Sequence, residues 1–95
     1  MDDQCEKFEL PPTANHEACA ALHGFLAEAR GKPVVLDGAK VRRTSARMGL
    51  MLLSARRAWS AEGQDFDIQA PSDGLASGLM TLGLSRELIE QEAAA

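Results

Sequence analysis

Apolar residues recur along the chain in two spacings, one typical of helices and the other typical of strands. Spacings of three and four predict a helix over residues 13–30, capped by Thr13 or Asn15, and a second from Ser45 or Ala46 to Glu62. They also predict a third helix over 73–82 and a short fourth one after residue 84. The predicted inward faces of the first three helices are Ala18, Leu22, Phe25, Leu26 and Ala29, then Met48, Leu52, Ala55 and Trp59, then Leu75, Leu79 and Leu82.

Three short segments between these helices have the character of strands. Residues 7–10 alternate and stop at two prolines, which predicts an edge strand. Residues 34–36 are continuously apolar, which favours burial on both faces, and Phe66 and Ile68 alternate within 65–70. Because strands and helices alternate with short connections, we predict an α/β domain with a largely parallel sheet and right-handed crossovers.

The length and the ends of the chain set the class of protein. Its 95 residues fit one domain, in which we expect 1–5 and 92–95 to fray. The beginning lacks an apolar signal region, and no apolar run approaches the roughly 20 residues of a membrane span. We therefore expect a cytoplasmic protein without direct membrane insertion. Cys5 and Cys19 lack metal-ligand spacing and are expected to be free thiols, with Cys19 packed in the core.

The net charge of −4 conceals a basic middle segment. Residues 30–57 carry eight basic side chains and one acidic side chain, whereas the segments on both sides are strongly acidic. A nucleic-acid binder is normally basic overall, so this pattern argues against nucleic acid as the partner. It favours an acidic protein or a phosphate group instead.

Few side chains indicate catalysis or metal binding. His16, Cys19 and His23 share one side of the first predicted helix, but no second cluster completes a tetrahedral zinc site. Asp37 stands at a strand end, where α/β proteins place functional acids, although it also suits bonding to the N–H groups of the following loop. Neither a nucleophile turn nor a glycine-rich phosphate loop is present. We expect no enzymatic activity, no metal and no cofactor.

Two hydroxyl residues, Thr44 and Ser45, stand at the predicted start of the second helix. Ser45 suits an N-cap, which accepts hydrogen bonds from the N–H groups of the first turn. A phosphate on either residue would be stabilised by the helix N-terminus and by the arginines around it. Both residues are therefore candidates for phosphorylation, and Ser45 is equally a candidate for a plain helix cap.

Basic and apolar side chains cluster around the same helix start. Arginine and methionine are both enriched at protein interfaces, so this cluster favours a docking rim. We predict that the methionine anchors the partner while the arginines pair with its acidic groups. The predicted partner-binding residues are Arg42, Arg43, Arg47 and Met48.

The order of several segments resembles the STAS family (sulphate transporter and anti-sigma factor antagonist). The similar segments span about residues 6–90: Val34-Val-Leu-Asp37 with Val41 four residues later, Leu50-Met-Leu-Leu53, Gly63-Gln-Asp-Phe-Asp-Ile, Pro71-Ser72 and Leu79-Met-Thr-Leu-Gly-Leu84. The resemblance implies a small mixed sheet of about four strands with helices mainly on one face. It also implies a protein that lacks catalysis and binds a bacterial signalling partner.

In many members of that family a serine at the start of the second helix, in an Asp-Ser-x-Gly-Leu stretch, is phosphorylated to release the partner. Counted forward from the strand end, the corresponding position is Ala46, and counted back from Gly49 it is Arg47. Only Thr44 and Ser45 supply a hydroxyl nearby. The pattern is similar to degenerate STAS proteins that bind their partners without an obvious switch.

The resemblance implies a serine-kinase-like anti-sigma factor or a chemotaxis component as the partner. Two alternatives stay open: an accessory STAS subunit of a lipid-transport ABC ATPase, and a small-ligand-binding module. A homodimer is also open, because short strands leave exposed sheet edges.

Overall fold

The computed structural model describes residues 5–88, and its elements follow the predicted order. The predictions of frayed ends therefore fall outside the described residues, except at Cys5. The boundaries differ from the predicted ones by only a few residues. The elements are β1 (Glu6–Glu9), α1 (His16–Glu28), β2 (Val34–Asp37), α2 (Ala46–Ala61), β3 (Phe66–Gln69), α3 (Asp73–Thr81) and α4 (Ser85–Leu88).

The three strands form one parallel sheet in the order β1-β2-β3, with Phe8, Leu36 and Ile68 in register. Both crossovers advance in the same direction, so right-handed connections place α1 and α2 on the same face. The α/β class is confirmed. Within residues 5–88 the sheet has three strands, all parallel, and not the mixed set of about four that we expected.

Burial alternates along the strands. In β2, Val34 and Leu36 are fully buried, whereas Val35 is half-buried and Asp37 is exposed. The same alternation occurs in β3. The expectation that residues 34–36 are buried on both faces is therefore wrong, because the helices within residues 5–88 cover one face of the sheet and leave the other partly exposed.

The core lies between this covered face and the helices. Its fully buried side chains are Trp59, Leu10, Leu22, Leu36, Leu52, Leu75, Leu79 and Val34. Two predicted core residues lie further out: Phe25 is half-buried and stacks on Phe8 with ring centroids 4.9 Å apart, and Leu82 is 38 % exposed. The remaining predicted inward positions are buried, which confirms the helical spacing as the main source of the fold.

Polar side chains define where the helices begin. Asn15 is the N-cap of α1, where its side-chain oxygen accepts from the N–H of Ala18 at 2.8 Å, so the cap is Asn15 and not Thr13. Ser72 caps α3 by accepting from the N–H of Leu75 at 3.0 Å.

Among the described helices, none combines the length and apolar character needed to cross a membrane.

Candidate functional site

A tightly anchored loop connects β2 to α2 at the carboxyl end of the sheet. This basic loop (residues 38–44) is held from one side by the carbonyl of Pro12, which accepts from the N–H groups of Arg42 and Arg43 at 2.8 and 3.2 Å. On another side, the hydroxyl of Ser72 donates to the carbonyl of Val41. These hydrogen bonds thus hold the backbone of Arg42 and Arg43 in place.

Two glycines of α3 bring that helix against the basic loop. A Cβ atom on Gly74 would lie 2.3 Å from the carbonyl oxygen of Arg42, and one on Gly78 would lie 2.2 Å from Cγ2 of Thr44. Side-chain atoms do not approach that closely, so any larger residue would displace the loop. This role of the two glycines was not predicted, although their i, i+4 spacing on one helix face was a signal.

The two hydroxyl residues at the start of α2 have different surroundings. The side-chain oxygen of Ser45 accepts from the N–H of Met48 at 3.1 Å, which confirms that Ser45 is the N-cap. The hydroxyl oxygen of Thr44 is buried and has no hydrogen-bond partner. Phosphorylation of Ser45 would therefore replace only the capping hydrogen bond. Phosphorylation of Thr44 would require the loop to move away from α3. Phosphorylation at either residue stays a prediction.

The predicted docking arginines gather at this end of the molecule. Arg42, Arg43 and Arg47 are exposed, and none of the three forms an ion pair with another described residue. Other basic residues nearby in sequence are engaged: Lys40 contacts Glu9 at 3.1 Å. We call these three unpaired side chains the arginine cluster.

Met48 does not occupy the place predicted for it. Its side chain is 4 % exposed and belongs to the core, so it cannot be the apolar anchor for a partner. It shares the inward face of α2 with Leu52 and Trp59, as its helical spacing requires. Leu50, about 200° further around the helix, is 59 % exposed and is the apolar side chain that this end of α2 presents.

An open apolar groove of about 480 Å³ runs between the exposed sides of α1 and α2. Its floor consists of the buried side chains Leu26, Ala55 and Trp59. Leu50 and the half-buried Met51 form much of the α2 wall. We call this feature the α1–α2 groove. It was not predicted, because its walls come from two segments that are separate in the sequence.

The ionisable side chains that line the α1–α2 groove are basic. Among the described residues, Arg47, Arg30 and the exposed His23 line it, and no carboxylate does. Arg30 lies over the ring of Trp59 at 5.5 Å and forms an exposed ion pair with Glu62. The hydrogen bond between them raises the pKa of Arg30 and lowers the pKa of Glu62. Arg30 is therefore already engaged, while Arg47 is open to a ligand.

The remaining candidate groups do not assemble into a site. One carboxylate oxygen of Asp37 accepts from the N–H of Ala39 at 2.9 Å, which confirms its role in bonding the loop. Cys19 is buried, whereas His16 and His23 are exposed, and Cys5 and Cys19 are both free thiols. Across residues 5–88, no three His, Cys, Asp or Glu side chains come together in a way that could hold a metal ion.

Comparison with profiles of known families, with curated proteins and with solved structures gives no match to this chain. The similarity to the STAS family therefore stays a prediction that depends on the order of its sequence segments. The function has to be inferred from the arginine cluster, the basic loop and the groove beside them.

Proposed function

We propose that this protein is a non-catalytic, protein-binding regulator of the STAS kind, which docks its partner at the start of α2. The observation that carries the proposal is the arginine cluster. Arg42, Arg43 and Arg47 are exposed and have no ion-pair partner among the described residues. Exposed arginines on an anchored backbone steer an acidic partner and set its orientation.

A protein partner is favoured over a small ligand by the distribution of polar groups. Sites for small molecules use a few buried polar groups to orient the ligand. Among residues 5–84, 86 and 88 no polar or charged residue is buried as a whole, and the buried hydroxyl oxygen of Thr44 lies outside the α1–α2 groove. The indole N–H of Trp59 already donates to the carbonyl of Lys32 at 2.6 Å. The arginine cluster is an exposed surface and suits the broad contact of another protein.

The family resemblance supplies the expected partners. These are a serine-kinase-like anti-sigma factor or a chemotaxis component, both in the cytoplasm. In the alternative, this protein is an accessory subunit of a lipid-transport ABC transporter and its partner is the transporter ATPase. If phosphorylation releases the partner, Ser45 is the better acceptor, because the Thr44 hydroxyl is shielded by its contact with α3. If Ser45 is not phosphorylated, the protein would act as an adaptor whose binding to its partner is not switched.

Affinity purification from the native host, with mass spectrometry of the partners and of the intact protein, tests the proposal. The double variant R43E/R47E should lose a partner that the wild type retains. The matched control K7E/R86E reverses two exposed charges elsewhere and should retain it. Equal retention by both variants would place the docking site elsewhere, and a phosphate on Ser45 or Thr44 would establish a regulated antagonist.

A further inference from the structure

We propose that the α1–α2 groove binds an acidic amphipathic helix of the partner protein. This inference rests on the proposed function and adds the chemistry of the bound segment. The groove is lined by α2 from Arg47 to Trp59. At 1.5 Å per residue this length is about 18 Å, which is slightly more than three turns of a helix.

The apolar surface of the groove suits a helix that binds through one face. Amphipathic helices bind such grooves with side chains spaced three, four and seven residues apart. Leu50 and Met51 offer apolar contact on the α2 side, above the floor at Leu26, Ala55 and Trp59. On the α1 side the wall is low at Ala27, which is small and exposed and lies between His23 and Arg30 in the sequence. The backbone of a bound helix can therefore approach α1 closely.

The charge of the groove identifies the occupant as acidic. Its ionisable lining residues are Arg47, Arg30 and His23, in a chain whose net charge is −4. Arg30 is paired with Glu62, so the unpaired Arg47 is the position at which a carboxylate of the occupant gains most. Arg47 also belongs to the arginine cluster, which makes the groove continuous with the proposed docking surface.

A second copy of this chain is a poorer occupant than an acidic helix. In a two-fold dimer the same surface of each copy faces the other. Two grooves with the same basic lining would then be brought together, and like charges across an interface oppose association. An acidic helix of another protein avoids this repulsion.

The probe for the test is a synthetic 14-residue peptide with blocked ends, with leucines at helical spacings and glutamates at its other positions. The matched control peptide carries lysines in place of the glutamates. Trp59 is the single tryptophan of the chain and lies on the floor of the groove, so a change in its fluorescence is the readout of peptide binding. The full chain should bind the acidic peptide at least tenfold more tightly than the basic one.

Single-residue variants test whether the peptide binds in the α1–α2 groove. L50E should weaken acidic-peptide binding more than tenfold, and R47A should weaken it about threefold to fivefold, as expected for an exposed ion pair. M80E changes a side chain that is 65 % exposed outside the groove and should bind like the wild type. A27E, on the opposite wall, should repeat the loss seen with L50E. Circular dichroism checks that each variant is folded.

Three results would overturn the inference: equal affinity for both peptides, unchanged binding by L50E and A27E, or self-association of the wild type that L50E abolishes. The last result would identify a second copy as the occupant. Failure of the inference differs from failure of the proposed function, because Arg42 and Arg43 lie outside the groove. If R42E/R43E loses the native partner and L50E keeps it, the regulator stands and the groove does not hold the partner.

Discussion

The two ends of α2 differ in how completely their polar and charged groups are satisfied. At the end of the helix, Trp59 donates to the carbonyl of Lys32, Arg30 stacks on its ring, and Glu62 pairs with Arg30. At the start, Arg47 has no ion-pair partner among the described residues and Leu50 is largely exposed. The end of α2 thus has its polar groups paired without a ligand, whereas its start leaves a basic and an apolar side chain exposed to solvent.

The largest expected effect on the free energy of unfolding comes from a substitution at the end of α2, where the polar groups are paired. Trp59 is 2 % exposed, so Trp59→Ala leaves a cavity and should lower the free energy of unfolding by about 3–5 kcal/mol. That loss is a large part of the roughly 5–15 kcal/mol available to a small domain. Urea denaturation followed by circular dichroism measures it. Leu50→Ala, at the start of α2, should change the same quantity by less than about 0.5 kcal/mol; a similar loss at both positions would refute the contrast.

A substitution on α3 tests how the start of α2 is positioned. Gly→Ala at an exposed helix position normally stabilises a helix by about 1 kcal/mol. At Gly74 the added methyl group would collide with the carbonyl of Arg42, so Gly74→Ala should instead cost about 1–3 kcal/mol. It should also weaken partner binding, because the basic loop moves.

Gly24 on α1 is the matched control for that substitution. A Cβ atom there meets nothing within 4 Å, so Gly24→Ala should raise the stability. Both variants are measured by urea denaturation. If Gly74→Ala proves as stabilising as Gly24→Ala, then α3 does not hold the basic loop in the way described.

The neighbouring hydroxyls at the start of α2 should respond with opposite signs. Thr44→Val removes a buried oxygen that has no hydrogen-bond partner and keeps the shape of the side chain, so it should stabilise the fold by about 1 kcal/mol. Ser45→Ala removes the N-cap and should destabilise the fold by about 1 kcal/mol. Thermal and urea unfolding of the two single variants measure the sign of each stability change. A loss of stability in both variants would mean that the Thr44 hydroxyl finds a partner in solution.

The sequence was sufficient for the features that depend on neighbours along the chain. Apolar spacing located the helices, and Ser45 was recognised as a cap because a cap is set by the next three residues. The arginine cluster was likewise visible, since Arg42, Arg43 and Arg47 lie within one short segment. Each of these features depends on residues that lie close together in the sequence, so the pattern of residues is enough to predict it.

The features that were missed depend on contacts between distant segments. The α1–α2 groove joins residues such as Ala27 and Leu50, which no local pattern connects. Met48 was expected both in the core and at the docking surface. The structure places it in the core, where it packs against residues distant in the sequence. Val35 belongs to an apolar run, yet it is half-buried because the helices lie on a single face of the sheet.

The smallest expected effect lies in the ion pair at the end of α2. Hydrogen bonding to Arg30 lowers the pKa of Glu62 in the folded state, so the stabilisation by this carboxylate is present above the ordinary glutamate pKa. It is lost as the pH falls through the lowered folded value. The two side chains are 53 % and 37 % exposed, so solvent and salt screen the pair and keep the effect small. The melting temperature of Glu62→Gln should therefore lie slightly below that of the wild type at neutral pH, and the difference should vanish in strong acid. A difference that grows on acidification would contradict the lowered pKa of Glu62 in the folded state.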